Sequence, residues 1–101
     1  MMKHIKFEMD NCMPCKFSQQ MLTTEFPDIK VKNINTIEEA EDGVLNIFNI
    51  TEDPETLGKE FQVTGVPTFL SINENGEVVN RFSGMNITEL QKLGETITKE
   101  N

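Results

Sequence analysis

Cys12-Met13-Pro14-Cys15 combines residue types and a spacing suited to making and breaking sulfur bonds. It sits where an alternating strand hands over to a helix. The amides of a first helical turn lack partners and the helix dipole is positive there, so a thiolate at Cys12 is favoured. A free cysteine titrates near ~8.5, and a helix N-terminus or a nearby cation lowers that by about one to several units. Lys16 offers such a cation, and Pro14 costs no hydrogen bond in a first turn. The spacing lets Cys15 approach Cys12 and close a small disulfide ring. Cys12, at the helix mouth, is the expected attacking thiol, and Cys15, one turn inside, the expected resolving thiol.

Two other uses of the pair compete with exchange chemistry. A structural staple this short gains only ~2 kcal/mol from chain entropy, and a reducing cytosol would open it. A structural zinc site wants four ligands, and one Cys-x-x-Cys supplies two. The single histidine, His4, lies on the polar face of the first strand and is expected at the surface. A zinc shared between chains stays open but has nothing to motivate it. A second element of interest is Gly65-Val66-Pro67-Thr68-Phe69, where proline opens a strand. Only ~5–6% of X-Pro bonds are cis, so position alone favours an ordinary trans peptide.

The elements that must position these residues follow from periodicity. Residues 4–10 alternate, with Ile5, Phe7 and Met9 on one face and Lys6, Glu8 and Asp10 on the other, as in a half-buried strand. From Met13 to Phe26, Phe17, Met21 and Leu22 suggest a helix with a narrow buried stripe, ended by Pro27. Ile29–Asn35 suits an edge strand. Val44–Ile50, nearly continuous in apolar residues, suits a strand covered on both faces. The acidic stretch between them, with Glu38, Glu39, Glu41 and Asp42, is expected as a solvated loop. Asp53-Pro54 opens a second helix towards Phe61. Val66–Ile72 and Glu77–Phe82 flank an Asn75-Gly76 turn, and Asn86 with Glu89 opens a last helix to Thr98. This order predicts a single α/β domain over residues 1–101. Its mixed four- to five-stranded sheet carries helices on both faces, with a right-handed parallel crossover.

Composition excludes several classes. Seventeen acidic against nine basic residues leave a net charge of −8, which repels nucleic acid and anionic membrane surfaces. No run approaches the ~18 apolar residues of a bilayer span, and the alternating start is unlike a signal peptide. Two cysteines are too few for a secreted disulfide scaffold. The expectation is an acidic, cytoplasmic, monomeric domain.

Together the strand ending in Cys-x-Pro-Cys-Lys, the Asp-Pro-Glu helix, Gly-Val-Pro-Thr-Phe, Asn-Gly-Glu-Val and Ser83-Gly84 resemble the thioredoxin family. They stand in the family's order over nearly the whole chain. The early motif looks like the shortened thioredoxins and glutaredoxins without a leading strand and helix. The resemblance implies a dithiol–disulfide oxidoreductase with Cys12 as nucleophile and Cys15 as resolving thiol. It implies no cofactor beyond the Cys12–Cys15 pair and no metal. It also implies a cis peptide before Pro67 and a substrate groove at Met13, Pro14, Val66, Pro67 and Gly84, flanked by Met85.

Departures matter as much. Asn11 stands where thioredoxins usually have tryptophan, and the chain contains no Trp or Tyr. Met13 replaces a usual glycine. Lys6 occupies the place of the family's buried aspartate, and that aspartate's usual lysine partner maps near Ile47. Lys6 either points beneath the thiols, lowering their pKa with Lys16, or extends along the sheet to solvent. In the first case, deprotonation of Cys15 falls to water or to a carboxylate such as Glu8. The expected activity is protein-disulfide reduction serving redox homeostasis and electron transport, with a reductase or glutathione as donor. Ser83-Gly84-Met85-Asn86 lacks the Gly-Gly and acid with which glutaredoxins hold glutathione, which favours a thioredoxin-type donor. The contrasting reading is a non-catalytic module that binds partners through the same groove.

Overall fold

The computed structural model describes all residues, 1–101. Five strands and three helices follow one another along the chain: β1 (Lys3–Glu8), α1 (Met13–Glu25), β2 (Val31–Ile34), β3 (Leu45–Asn49), α2 (Pro54–Glu60), β4 (Thr68–Ile72), β5 (Val78–Ser83) and α3 (Ile87–Glu100). A short 3-10 turn, Ile37–Glu39, interrupts the acidic connection, whose four acidic side chains are exposed as expected. The sheet runs β2-β3-β1-β4-β5. β3 is parallel to both β1 and β2, whereas β4 is antiparallel to β1 and β5.

Local chemistry accounts for the boundaries. α1 begins with Pro14 in its first turn, where a missing N–H costs nothing. Asp53 caps α2 through the Thr56 amide at 3.3 Å, and Asn86 caps α3 through the Glu89 amide at 3.1 Å. In the β4–β5 turn the Asn73 side chain accepts from the amides of Asn75 and Glu77, both at 2.9 Å. β1 stops at Glu8, two residues short of the alternating pattern. There the Asp10 amide turns away to donate to Thr51 Oγ1 at 2.8 Å.

The sheet carries two cores. On one face Ile5, Phe7, Ile34, Phe48 and Leu70 pack with Leu57 and Phe61 at α2. Phe7 lies 5.6 Å from Phe48 and 5.2 Å from Phe61, centroid to centroid. On the other face Leu45, Ile47, Phe69 and Phe82 lie beneath Leu22 of α1 and Leu90, Leu93 and Ile97 of α3. These helices approach closely: a Cβ at Gly94 would come within 2.3 Å of the Phe26 ring.

β1 is central, and the structure corrects the view that one of its faces is solvated. His4 and Lys6 point into the α1/α3 side and are each 0% exposed. Two helices cover that face, so the polar alternation of β1 is buried rather than wet. Burying such groups is tolerable only with partners, and no buried side-chain nitrogen or oxygen lacks one. His4 is therefore not a surface residue: Nδ1 lies 2.8 Å from Ser71 Oγ and Nε2 3.2 Å from Glu100 Oε2. In α1 the buried positions are Cys15, Ser18 and Leu22. Met21 is only partly covered and Phe17 is 51% exposed, so Phe17 does not belong to the buried stripe.

Candidate active site

Cys12 is the N-cap of α1. Its extended backbone turns the sulfur back over the first turn, where Sγ accepts the Cys15 amide at 3.1 Å. That amide is one of the donors a helix start leaves unpaired, and here it points at a sulfur. Asn11, just before, takes φ +60, a left-handed conformation that asparagine tolerates better than most residues. Cys12 and Cys15 are joined in a disulfide, with Cα atoms 5.2 Å apart. Their environments differ: Cys12 is partly exposed, while Cys15 is 2% exposed.

The strand start that faces Cys12 comes from β4. The Val66–Pro67 peptide is cis, as the family resemblance implied and position alone did not. The Val66 carbonyl oxygen stands 3.9 Å from Cys12 Sγ. Pro67 is buried and Val66 partly so. Thr68 Oγ1 secures this turn by bonding the Gly65 carbonyl at 2.6 Å and Ser83 Oγ at 2.9 Å. Next to Ser83, Gly84 adopts φ +75 and donates its amide to the Pro67 carbonyl at 2.9 Å. Only glycine takes that backbone angle readily. Met13 and Pro14 are exposed at the start of α1, and Met85 is exposed beyond Gly84. The exposed Lys16 donates its backbone amide to the Cys12 carbonyl at 3.2 Å.

Of the two placements open to Lys6, the structure adopts the one beneath the thiol helix. Its Nζ donates to the Cys15 carbonyl at 2.7 Å and to Gln19 Oε1 at 3.1 Å, and pairs with Glu8 Oε1 at 3.0 Å. Those three acceptors match the three donors of an ammonium. Burial pushes the Lys6 pKa below the usual lysine range, while the hydrogen bond and charge of Glu8 pull it back up. On the register, Lys6 pairs with Ile47, so the position opposite it is apolar.

Gln19 had no signal in the sequence beyond lying one helical turn after Cys15. Two further contacts were equally hidden, because they join positions about forty residues apart. Asn49 Nδ2 donates to Asp10 Oδ1 at 2.9 Å, and the Asp10 amide bond to Thr51 lies alongside. They tie the cysteine loop to the end of β3. An open cleft of about 780 Å³ runs from this loop along α1, walled by Glu8, Asp10, Cys12, Cys15, Lys16 and Gln19 among others. No group of three or more His, Cys, Asp or Glu side chains converges as a metal cage.

A sulfur that accepts a helix amide, linked to a buried second sulfur and facing a backbone carbonyl, is an arrangement for thiol–disulfide exchange. Comparison with known proteins agrees. No protein-family model matches the sequence. The SPbeta prophage-derived thioredoxin-like protein YosR of Bacillus subtilis is 33% identical over 92 residues, covering 91% of this chain and 94% of that protein. Thioredoxin f from spinach chloroplast superposes with a TM-score of 0.65 at 22% identity, covering 96% of this chain and 76% of its own. The thioredoxin of Fasciola hepatica gives 0.60 at 26% identity, covering 99% and 81%. With this fold, the intact Cys12–Cys15 pair and that degree of identity, the chain belongs to the thioredoxin-like proteins.

Proposed function

We propose that the protein reduces disulfides in other proteins by dithiol exchange, with Cys12 as nucleophile and Cys15 as resolving thiol. The observation that supports this best is the asymmetry of the pair: Cys12 Sγ is partly exposed and accepts a helix amide, whereas Cys15 is almost wholly buried. An attacking thiolate needs stabilisation and access; a resolving thiol needs only to reach its neighbour.

In the reduced protein the Cys12 thiolate attacks a substrate disulfide, forming a mixed disulfide and releasing one substrate thiolate. The Cys15 thiolate then attacks Cys12 Sγ, closing the internal disulfide and releasing the second substrate sulfur. The substrate chain lies between Met13 and Pro14 on one side and Val66, Pro67 and Gly84 on the other, where Gly84 leaves room for a neighbouring backbone. Met13 and Met85 offer adaptable thioether contacts at the rim. The protein works as a cytoplasmic monomer, and an external reductant returns the dithiol.

Insulin reduction tests this reading. Turnover is expected with thioredoxin reductase and NADPH, and less with glutathione and glutathione reductase. Cys12→Ser should abolish turnover while preserving the fold. Unchanged partner binding with no turnover in the native protein would instead mark a non-catalytic module.

A further inference from the structure

Beneath Cys15 lies an ion pair that the exchange reaction as described leaves unused. Lys6 is 0% exposed, grips the Cys15 carbonyl at 2.7 Å and holds Glu8 Oε1 at 3.0 Å. Glu8, by contrast, keeps 24% of its side chain exposed and shares the cleft along α1 with Cys15. A buried cation thus fixes one carboxylate at the wall of the cleft that Cys15 also lines.

We propose that Glu8 is the proton acceptor for the Cys15 thiol during resolution, and that Lys6 is the positioning residue that holds its carboxylate at the cleft. The inference rests on the dithiol-exchange reading above. In this step the Cys15 S–H proton passes across the cleft to the Glu8 carboxylate. The Cys15 thiolate then forms a bond to Cys12 Sγ as the Cys12–substrate bond breaks. The electron pair leaves with the substrate sulfur, and Glu8 returns its proton to solvent or to that leaving thiolate.

The other ionisable groups facing the cleft suit the role less well. Asp10 is exposed, and its carboxylate already accepts from Asn49 Nδ2 at 2.9 Å in the loop before Cys12. Lys16 is exposed, and its ammonium is a hydrogen-bond donor with no acceptor site. Lys6 has its donors engaged by three acceptors.

The sign of one substitution separates a base from a mere neighbouring charge. Glu8→Gln removes a negative charge close to Cys15. If Glu8 acted only through its field, the thiolate would become easier to form and resolution would quicken. If Glu8 takes the proton, resolution slows, on the order of a hundredfold for loss of a positioned base.

The test mixes reduced protein with an aromatic disulfide at low pH, then jumps the pH. The first burst of chromogenic thiol reports attack by Cys12, and the second reports resolution by Cys15. The expected result is a slowed second release in Glu8→Gln, with the pH dependence of that phase flattened and partial rescue in Glu8→Asp. Lys6→Met, which keeps side-chain length without charge, should also slow the second release. A second phase in Glu8→Gln as fast as the native one, or faster, with the native pH profile, overturns the proposal. Absence of the first burst in the native protein overturns the dithiol-exchange reading instead.

Discussion

The two faces of β1 solve the same burial problem in opposite ways. Towards α2, Ile5 and Phe7 join a cluster of phenylalanines whose cohesion needs no particular protonation state. Towards α1 and α3, His4 and Lys6 are equally buried but depend on partners: Ser71 and Glu100 for one, Cys15, Gln19 and Glu8 for the other. One face supplies stability that is indifferent to pH. The other places ionisable groups under the reactive helix, where charge can be coupled to chemistry. Burying polar groups with complete satisfaction adds little net stability and is lost readily when one partner goes.

The two faces should respond differently to substitution. Phe7→Ala should be the most damaging, at about 3–5 kcal/mol, read as a fall in the denaturant midpoint. A loss below about 1 kcal/mol would mean the aromatic face is not the main support. Gly94→Ala forces a methyl against the Phe26 ring and should cost about 1–3 kcal/mol by thermal unfolding. Lys6→Met removes one partner only, leaving Glu8, Gln19 and the Cys15 carbonyl each short of a donor, and should cost about 1–3 kcal/mol. It should also raise the pH at which thiolate absorbance appears. An unaltered titration would show that the cation does not act on the sulfurs.

His4 predicts a pH effect smaller than these. Burial holds its pKa below the ordinary 6.5, against the pull first of Glu100 and then of Asp42. As pH falls below 6.5 the unfolded chain takes up a proton that the folded chain refuses. Stability contributed by the neutral ring therefore declines from about 6.5 down to the lowered folded value, at no more than about 1.4 kcal/mol per pH unit. His4→Gln should flatten urea midpoints across that interval while leaving the more acidic titration of carboxylates in place. At the small end, Glu74→Gln removes an exposed partner of the Met1 ammonium. It should leave the unfolding curve at neutral pH unchanged.

Much of this architecture could be read from local signals. The Cys-x-Pro-Cys segment, the Asp53-Pro54 and Asn86 helix starts and the Asn75-Gly76 turn are each complete within a few residues, and each stands where the sequence suggested. What escaped were properties set by partners distant in sequence. Period two places His4 and Lys6 on one face, but whether that face is wet depends on where α1 and α3 cross the sheet. Their satisfying groups, Ser71, Glu100 and Gln19, are ordinary surface residue types in the sequence. Phe17 misled for the converse reason, since helical spacing cannot say which apolar side chain turns outward at a rim. The cis peptide before Pro67 came from the family resemblance, because nothing in the neighbouring residues distinguishes it from a trans strand start.

The moorings around the cysteines carry a final implication. The loop before Cys12 is fastened by Asp10 to Thr51 and Asn49, and the Cys15 carbonyl is held by both Lys6 and Ser18, the latter at 2.9 Å. None of these contacts uses a sulfur atom, so none is lost when the disulfide opens. The oxidised and reduced proteins should therefore present nearly the same contour to whatever meets them. A partner that tells them apart must sense the sulfurs themselves, through the charge of a thiolate or the reach of a freed thiol, and not a rearranged backbone.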